Sequence, residues 1–270
     1  MRASVIIPSL NSPILDHVLA AVWSQEGIED VDEILVIGRD EPGLITAGSR
    51  ARLIDTGRPV NSAVARNRGI AESSAPLLLF LDSDCIPLPG WLRAHQAAHD
   101  AGHAVVGGGV PPTGRTYWSR GYNLGMFQEY LPTRPPGPRD ILPTLNFSVE
   151  RRVIEAVGLL DETLVRSQDM EWTARMVAAG FQPWFQPDAI IDHRHNRDTF
   201  RAVWRDCARS GYYSRQVRLT HSVLLGTPGI LRRPTLLRLL SPLIAAAATV
   251  RIVAGHPAIL SRHRASWPSC

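Results

Sequence analysis

The sequence contains no lysine, so each of its 29 basic residues is an arginine and every positive side chain is a guanidinium. A compositional bias of the parent genome accounts for that exchange. Cysteine is scarce as well. Cys85, Cys207 and Cys270 lie far apart and form no CxxC, which argues against a disulfide framework or a zinc site and fits a reducing compartment. The opening Met1–Pro8 holds too short an apolar run for the h-region of a signal peptide. Leu239–Val250 offers twelve residues between Arg238 and Arg251, short of the ~20 that a spanning helix needs. No internal repeat is present.

What is there points to an enzyme-sized α/β body. A chain of 270 residues that is 44% apolar and 20% charged suits one large globular domain, or a domain with an appendage. The net charge of +4 hides an asymmetry. After residue 196 there are twelve arginines against Asp198 and Asp206, a local charge of about +10, so the first 196 residues sum to about −6. A basic C-terminal quarter suits an anionic surface. No reader motif accompanies the charge, so nucleic acid is not expected. An interfacial helix over Leu239–Val250, flanked by Arg232, Arg233, Arg238, Arg251, Arg262 and Arg264, would place the protein in the cytoplasm, peripheral on the inner face of the membrane. A helix pair packed on the catalytic body, or a dimer contact, explains the same pattern, and the oligomeric state is open.

Ser4–Ser9 reads as a short buried strand stopped by proline, followed by a helix near Leu15–Gln25 and a strand over Glu33–Gly38. Ser62 is placed to cap a helix through Ala63–Glu72. The unbroken apolar run Leu77–Leu81 then ends abruptly at Asp82-Ser83-Asp84. Such strands, separated by helical patterns, predict a Rossmann-like parallel sheet covered on both faces for residues 1–110. Residues 111–143 carry seven prolines and several aromatics, the composition of a long functional loop. Regular structure resumes over Asn146–Gly158 and in a helix near Asp169–Ala179, and Ala189–Ile191 leads into Asp192-His193-Arg194-His195. Three segments follow: 1–110 as a nucleotide-binding half, 111–196 as an acceptor-binding and catalytic half, and 197–270 as a basic amphipathic helical extension.

Ligands of open parallel sheets bind beyond the carboxyl ends of the strands, where Asp82 and Asp84 emerge. Two carboxylates one residue apart can grip a hard cation, and that cation can neutralise a pyrophosphate. The spacing alone is weak. Asp30-Val31-Asp32 has it too but precedes its strand, and an ordinary turn explains Asp82–Asp84 equally well. Asp169 sits in a first helical turn, where acids oppose the macrodipole without any chemistry, as does Glu171. His193 and His195 end a strand-like run, where an imidazole can bind metal or phosphate.

In combination these segments resemble the family-two inverting glycosyltransferases of the GT-A fold. Ser4–Asn11 (SVIIPSLN) is similar to their opening strand, and Asn61–Leu92 (NSAVARNRGIAESSAPLLLFLDSDCIPLPGWL) to their helix, strand and Asp-x-Asp block. Leu145–Asp161 (LNFSVERRVIEAVGLLD), Gln168–Gly180 (QDMEWTARMVAAG) and Pro187–His195 match the acceptor-side segments. The resemblance covers roughly residues 4–196. It implies an α/β fold with a mostly parallel central sheet flanked by helices, a nucleoside-diphosphate sugar as donor, and a manganese or magnesium ion. It places Asp82, Ser83 and Asp84 beside metal and diphosphate, with Asp84 the direct ligand and His193 completing the site. Asp169 falls at the position of the general base, Arg66 on the helix facing the nucleotide, and Pro8, Ser9 and Asn11 where base and ribose are held.

Two departures stand out. The acidic pair after the second strand is missing, the chain reading Ile37-Gly38-Arg39-Asp40, which leaves Asp40 as its stand-in. The Glu-Asp before the catalytic helix is Gln168-Asp169, and loss of the like charge lowers the pKa of Asp169 relative to such a pair. The expected activity is transfer of a sugar to a glycan, lipid or small-molecule hydroxyl in polysaccharide, cell-wall or glycolipid synthesis. The competing expectation is a catalytically silent GT-A-like module for binding or assembly.

Overall fold

Strand β1 (Ala3–Leu10) is followed by helix α1 (Leu15–Trp23), strands β2 (Val31–Arg39) and β3 (Ala51–Asp55), helix α2 (Ser62–Glu72) and strands β4 (Leu77–Leu81) and β5 (Cys85–Pro87). These come from a computed structural model that describes residues 1–46 and 48–255. Helix α3 (Trp91–Asp100) and strand β6 (Val105–Gly109) precede helix α4 (Tyr117–Phe127), and strands β7 (Gly137–Pro138) and β8 (Asn146–Glu150) precede helices α5 (Arg151–Val157) and α6 (Gln168–Ala178). Strand β9 (Trp184–His193) and helix α7 (Phe200–Thr220) complete the first of two compact units, Met1–Leu225. The second begins at Gly226 and contains helix α8 (Pro234–Gly255). The basic extension expected after residue 196 therefore divides, with α7 counted in the first unit.

The nine strands form a sheet of order β3-β2-β1-β4-β8-β6-β9-β5, with β7 added at β9. Strands β1 to β4 pair in parallel, β8 runs antiparallel to both β4 and β6, and β9 is parallel to β6. The apolar run of β4 serves two cores at once, because successive side chains of a strand point to opposite faces. Leu77, Leu79 and Leu81 join Val5, Ile7, Val18 and Trp91 on one side. Leu78 and Phe80 join Ile6, Leu35, Phe147 and Trp172 on the other. Trp172 meets Phe80 edge-on at 5.9 Å between ring centroids, so the first turns of α6 are fastened to the centre of the sheet.

Several local expectations change. Asn61, not Ser62, caps α2, its Oδ1 accepting from the Val64 N–H at 2.9 Å. The segment 111–143 is not irregular throughout, for it contains α4, started by a reciprocal cap between Thr116 and Ser119. Gly107-Gly108-Gly109 closes strand β6. A Cβ on Gly108 would stand 2.1 Å from the Ala189 carbonyl oxygen, so glycine is what lets β6 lie against β9.

Helix α8 spans the predicted apolar stretch and carries an internal Pro242. Leu239, Leu243 and Val250 are exposed on it. No helix among the described residues is long and apolar enough to cross a membrane.

Candidate active site

A cleft of about 1020 Å³ opens at the carboxyl ends of β1 and β4. Pro8, Ser9, Asn11, Asp82, Ser83, Asp84, His193 and His195 line it together, so eight of the residues singled out in the sequence converge. The β1 end is shaped by two backbone requirements. Gly38 has φ +135°, and a Cβ there would fall 1.9 Å from the Ser9 carbonyl oxygen, so β2 approaches β1 only because the residue is glycine. Asn11 lies in the left-handed region at φ 57°, donates its N–H to the Arg39 carbonyl at 3.0 Å and accepts the Glu41 N–H on Oδ1 at 2.9 Å. Asparagine tolerates that conformation because its short amide bonds locally.

The turn after β4 is held from three directions. The Asp82 N–H donates to the Leu145 carbonyl at 3.2 Å and the Arg194 N–H to the Asp84 carbonyl at 2.7 Å, while the Ser12 hydroxyl donates to the Ser83 carbonyl at 2.6 Å. Opening strand, β8 entry and the end of β9 thus fix one tripeptide. The two carboxylates then have different partners. Asp82 receives Arg66 Nη2 at 2.5 Å, a guanidinium that is 3% exposed. Arg66 accordingly supports the acidic turn from beneath and is not among the residues lining the cleft. Asp84 instead faces His193, with Oδ2 3.6 Å from Nε2. Burial opposes its charge, but His193 in its protonated form, donating from Nε2, and then Arg197 outweigh that and hold the Asp84 carboxyl below its usual range.

The tautomer of His193 follows from its neighbour. Its Nδ1 lies 2.9 Å from Asn123 Oδ1, while Asn123 Nδ2 donates to the carbonyls of Thr113 and His193 itself. An amide oxygen only accepts, so Nδ1 carries a hydrogen and Nε2 is the nitrogen left to face Asp84, donating to it when the ring is protonated and offering its lone pair to a cation when the ring is neutral. Asp84, Cys85 and His193 bring ligand atoms within 4.8 Å of one another. The Cys85 sulfur is a soft donor, whereas the carboxylate oxygen and the imidazole nitrogen are the donors of the group that a harder cation takes. That set fits a manganese- or magnesium-type cation with further positions open to phosphate oxygens. His195 lies beside it, buried, with Nδ1 accepting the Arg197 N–H at 3.0 Å and Nε2 making no hydrogen bond among the described residues. Burial, His193 and Arg197 lower its pKa to about 4.

Asp169 stands at the first turn of α6, half-buried, accepting the Met170 N–H at 2.9 Å. Burial raises its pKa above the ordinary carboxylate value, against the backbone N–H of Met170 and the charge of Arg66, while Asp82 adds to the rise. It shares an electrostatic neighbourhood with the acidic turn, though, like Arg66, it is not among the residues lining the cleft. Glu171 is turned elsewhere, its two oxygens taking Arg175 Nε at 2.6 Å and Nη2 at 2.9 Å. Gln168 donates to the Leu164 carbonyl at 2.8 Å and is a fixture of the chain entering α6. Asp40 is not brought to the cleft: its carboxylate accepts the N–H groups of Leu44 and Ile45 at 3.1 and 2.8 Å, which closes its own loop.

Sequence reasoning passed over Asn123 and a hub around Asp206. Asp206 accepts from the Tyr122 hydroxyl at 2.7 Å, from Arg166 Nη2 at 2.6 Å and, as an ion pair, Arg197 Nε at 3.2 Å. It ties together the helix that orients His193, the residues preceding Asp169 and the strand end carrying His195. Tyr122 and Arg166 lie 84 and 40 residues from Asp206 in sequence, and nothing in local patterning links them.

A sequence model described as glycosyl transferase family 2 matches residues 4–155. The chain is similar to glycosyltransferase AglE of Haloferax volcanii, 31% identical over 203 residues, 70% of this chain and 66% of that protein. It is 29% identical over 160 residues to a pre-mycofactocin glycosyltransferase of Mycobacterium tuberculosis, 56% of this chain and 33% of the relative. The chain thus spans just under two thirds of the first relative's length and one third of the second's. Among solved structures, mannosyltransferase PcManGT from Pyrobaculum calidifontis, solved with GDP-Man and Mn2+, superposes with a TM-score of 0.63 at 16% identity over 98% of this chain and 79% of that one. TarS of S. aureus, solved with UDP-GlcNAc, gives 0.58 at 16% identity over 73% and 59%. At such identities the likeness is one of fold, and the fold is GT-A.

Proposed function

The chain belongs to glycosyl transferase family 2, and from that membership we propose that it moves a sugar from a nucleoside-diphosphate donor to a hydroxyl acceptor, inverting the anomeric carbon with the help of a divalent cation. The observation that carries the reading is the convergence of Asp84 Oδ2 and His193 Nε2, 3.6 Å apart, at a cleft walled by Pro8, Ser9 and Asn11. The complexes of the GT-A neighbours with GDP-Man and Mn2+ and with UDP-GlcNAc support it.

In this reading Pro8, Ser9 and Asn11 hold the nucleoside, and Asp84 and His193 hold the cation. The cation supplies positive charge against the diphosphate. Arg197 offers further positive character on the same wall. Asp169, whose raised pKa makes it a stronger base than an ordinary aspartate, accepts the acceptor's hydroxyl proton as that oxygen bonds to the anomeric carbon. The bond from that carbon to the diphosphate oxygen breaks, and its electron pair leaves with the phosphate. Thr113, Gly114, Arg115 and Ser119, from the loop and start of α4, form the acceptor side of the cleft. Glycan, lipid and small-molecule acceptors in polysaccharide, cell-wall or glycolipid synthesis all present the hydroxyl this chemistry needs.

The test is a panel of UDP-, GDP- and dTDP-sugars scored for manganese-dependent release of the nucleoside diphosphate, with thermal shift as a parallel readout. Release from one base class, lost with a chelator, is expected. If no nucleoside diphosphate raises the melting temperature and no donor is turned over, with or without manganese, the chain is a silent module instead.

A further inference from the structure

Four residues of α7, spaced four apart, share one face: Phe200, Trp204, Ala208 and Tyr212. Their aromatic members are 56%, 67% and 58% exposed. Tyr117 and Trp118 of α4 extend the face, with ring centroids 5.3 Å apart between Tyr117 and Trp118, 5.2 Å between Trp118 and Phe200, and 6.0 Å between Phe200 and Trp204. Contiguous exposed aromatic surface of this kind is disfavoured in water and marks a place where something else makes contact.

The charge around it selects the contact. Arg201, Arg205 and Arg209 follow the stripe at the same spacing, are exposed, and form no ion pair among the described residues. The acidic group of α7, Asp206, is taken by Tyr122, Arg166 and Arg197, and Asp198 before the helix is taken by Arg115. The face is therefore aromatic and cationic with no free carboxylate of α7 to oppose an anion. A second copy of the same face would set arginine against arginine, which works against symmetric pairing. Tryptophan and tyrosine rings with arginines at their border are the composition that settles at the headgroup level of a bilayer.

The face also adjoins the cleft. Phe200 follows Arg197 by three residues, and Tyr117 and Trp118 follow Arg115, both arginines lining the opening. We propose that the α7–α4 aromatic–arginine face seats the protein on an anionic membrane, with the cleft mouth at the headgroups so that it takes an acceptor carried by a lipid. The second clause rests on the sugar-transfer reading; the membrane contact does not.

The full chain is mixed with vesicles of phosphatidylcholine alone or of phosphatidylcholine with phosphatidylglycerol, and floated on a density gradient. Co-flotation with the anionic vesicles alone is expected. Phe200→Glu with Trp204→Glu should weaken partitioning by at least about tenfold. Arg201→Gln with Arg205→Gln should weaken it by roughly fivefold per arginine. Leu239→Glu with Leu243→Glu, on α8, is the comparison and should change it less. Melting temperature and donor hydrolysis, read on every variant, should match the parent. The proposal is overturned if the parent stays unbound with both vesicle types, if binding is lost with the α8 pair and kept with the α7 pair, or if the aromatic variants change the sedimenting mass without lipid, which would make the face a self-association surface. Vesicle binding by a parent that turns over no donor would sink the sugar-transfer reading and leave the membrane face standing.

Discussion

Arg66 donates to Asp82 at 2.5 Å from a side chain that is 4% exposed, and this pairing divides the labour of the Asp-x-Asp turn. A buried guanidinium has no other carboxylate among its ion pairs, so Asp82 is committed to neutralising it, and Asp84 is left to face the cleft.

Substitution should separate those roles. Asp84→Ala is expected to abolish manganese-dependent donor binding with little change in melting temperature. Asp82→Ala should strip Arg66 of its partner and lower stability by on the order of 3 kcal/mol, as breaking a buried pair does. Calorimetric titration of donor with manganese, beside thermal melts, checks both. Donor and metal binding by Asp84→Ala at parental affinity would remove Asp84 from the metal site.

The base should show in rate and not in affinity. Asp169→Asn is expected to reduce turnover by about 10²–10⁴-fold, the usual contribution of general-base catalysis, with donor affinity nearly intact. Glu171→Gln loosens the bond to Arg175 and should lower the melting temperature more than kcat. Steady-state kinetics on a folded pair of variants decides it, and the reverse pattern would transfer the role to Glu171.

Asn123 should matter although it reaches no substrate. Asn123→Leu removes the acceptor that keeps hydrogen on His193 Nδ1, and loss of such an outer partner typically weakens metal binding about 10- to 100-fold. Manganese titration by electron paramagnetic resonance measures this. Asn123→Asp keeps an acceptor and should restore much of the affinity, whereas equal losses in both would point to packing alone.

Acid should unfold the protein through two histidines remote from the cleft. Asn146 Oδ1 accepts from Trp91 Nε1 at 2.8 Å and from His95 Nε2 at 3.0 Å. His95 Nδ1 is therefore the acceptor for Ser148 at 2.8 Å, and His99 Nε2 bonds the same hydroxyl at 2.7 Å. Burial lowers these imidazoles from 6.5 to about 3 and about 4. Between those values the unfolded chain binds protons that the folded one refuses, so the stabilisation is complete above pH 6.5 and is lost as pH falls toward 4. Each histidine contributes a slope of about 1.4 kcal/mol per pH unit. Urea unfolding at pH 7, 6 and 5, before most carboxylates titrate, should show the decline, and His99→Gln should reduce its slope. A flat profile across that range would contradict the network.

Much of this was legible beforehand. The apolar run of β4 and its acidic stop located the cleft, since a strand buried on both faces needs an unbroken apolar text and its end is where polar residues emerge. Asp169 was legible as a first-turn acid, and His193 as the close of a strand. The Gly-rich β6 was not legible as a strand, because glycine signals turns far more often than it signals one backbone lying against another. Helix α4 was masked by the prolines on either side of it, although its cap at Thr116 and Ser119 is a local signal. Asp40 and Arg66 look like ligand-facing residues in a string of letters, yet the Asp40 carboxylate closes its own loop and Arg66 Nη2 donates to Asp82. The Asp206 hub is invisible to any local pattern, because its members meet only after the chain has crossed the sheet.

The join between β4 and β8 has one more consequence. All strands on one side of it run in a single direction and are finished by residue 81, whereas those on the other side run both ways and are threaded by everything after it. Material added between residues 110 and 145 lengthens a connection on that second side without sliding any register on the first. On the proposed sugar-transfer reading, lineages and engineers are therefore free to rewrite what the protein modifies while inheriting unchanged what it modifies it with.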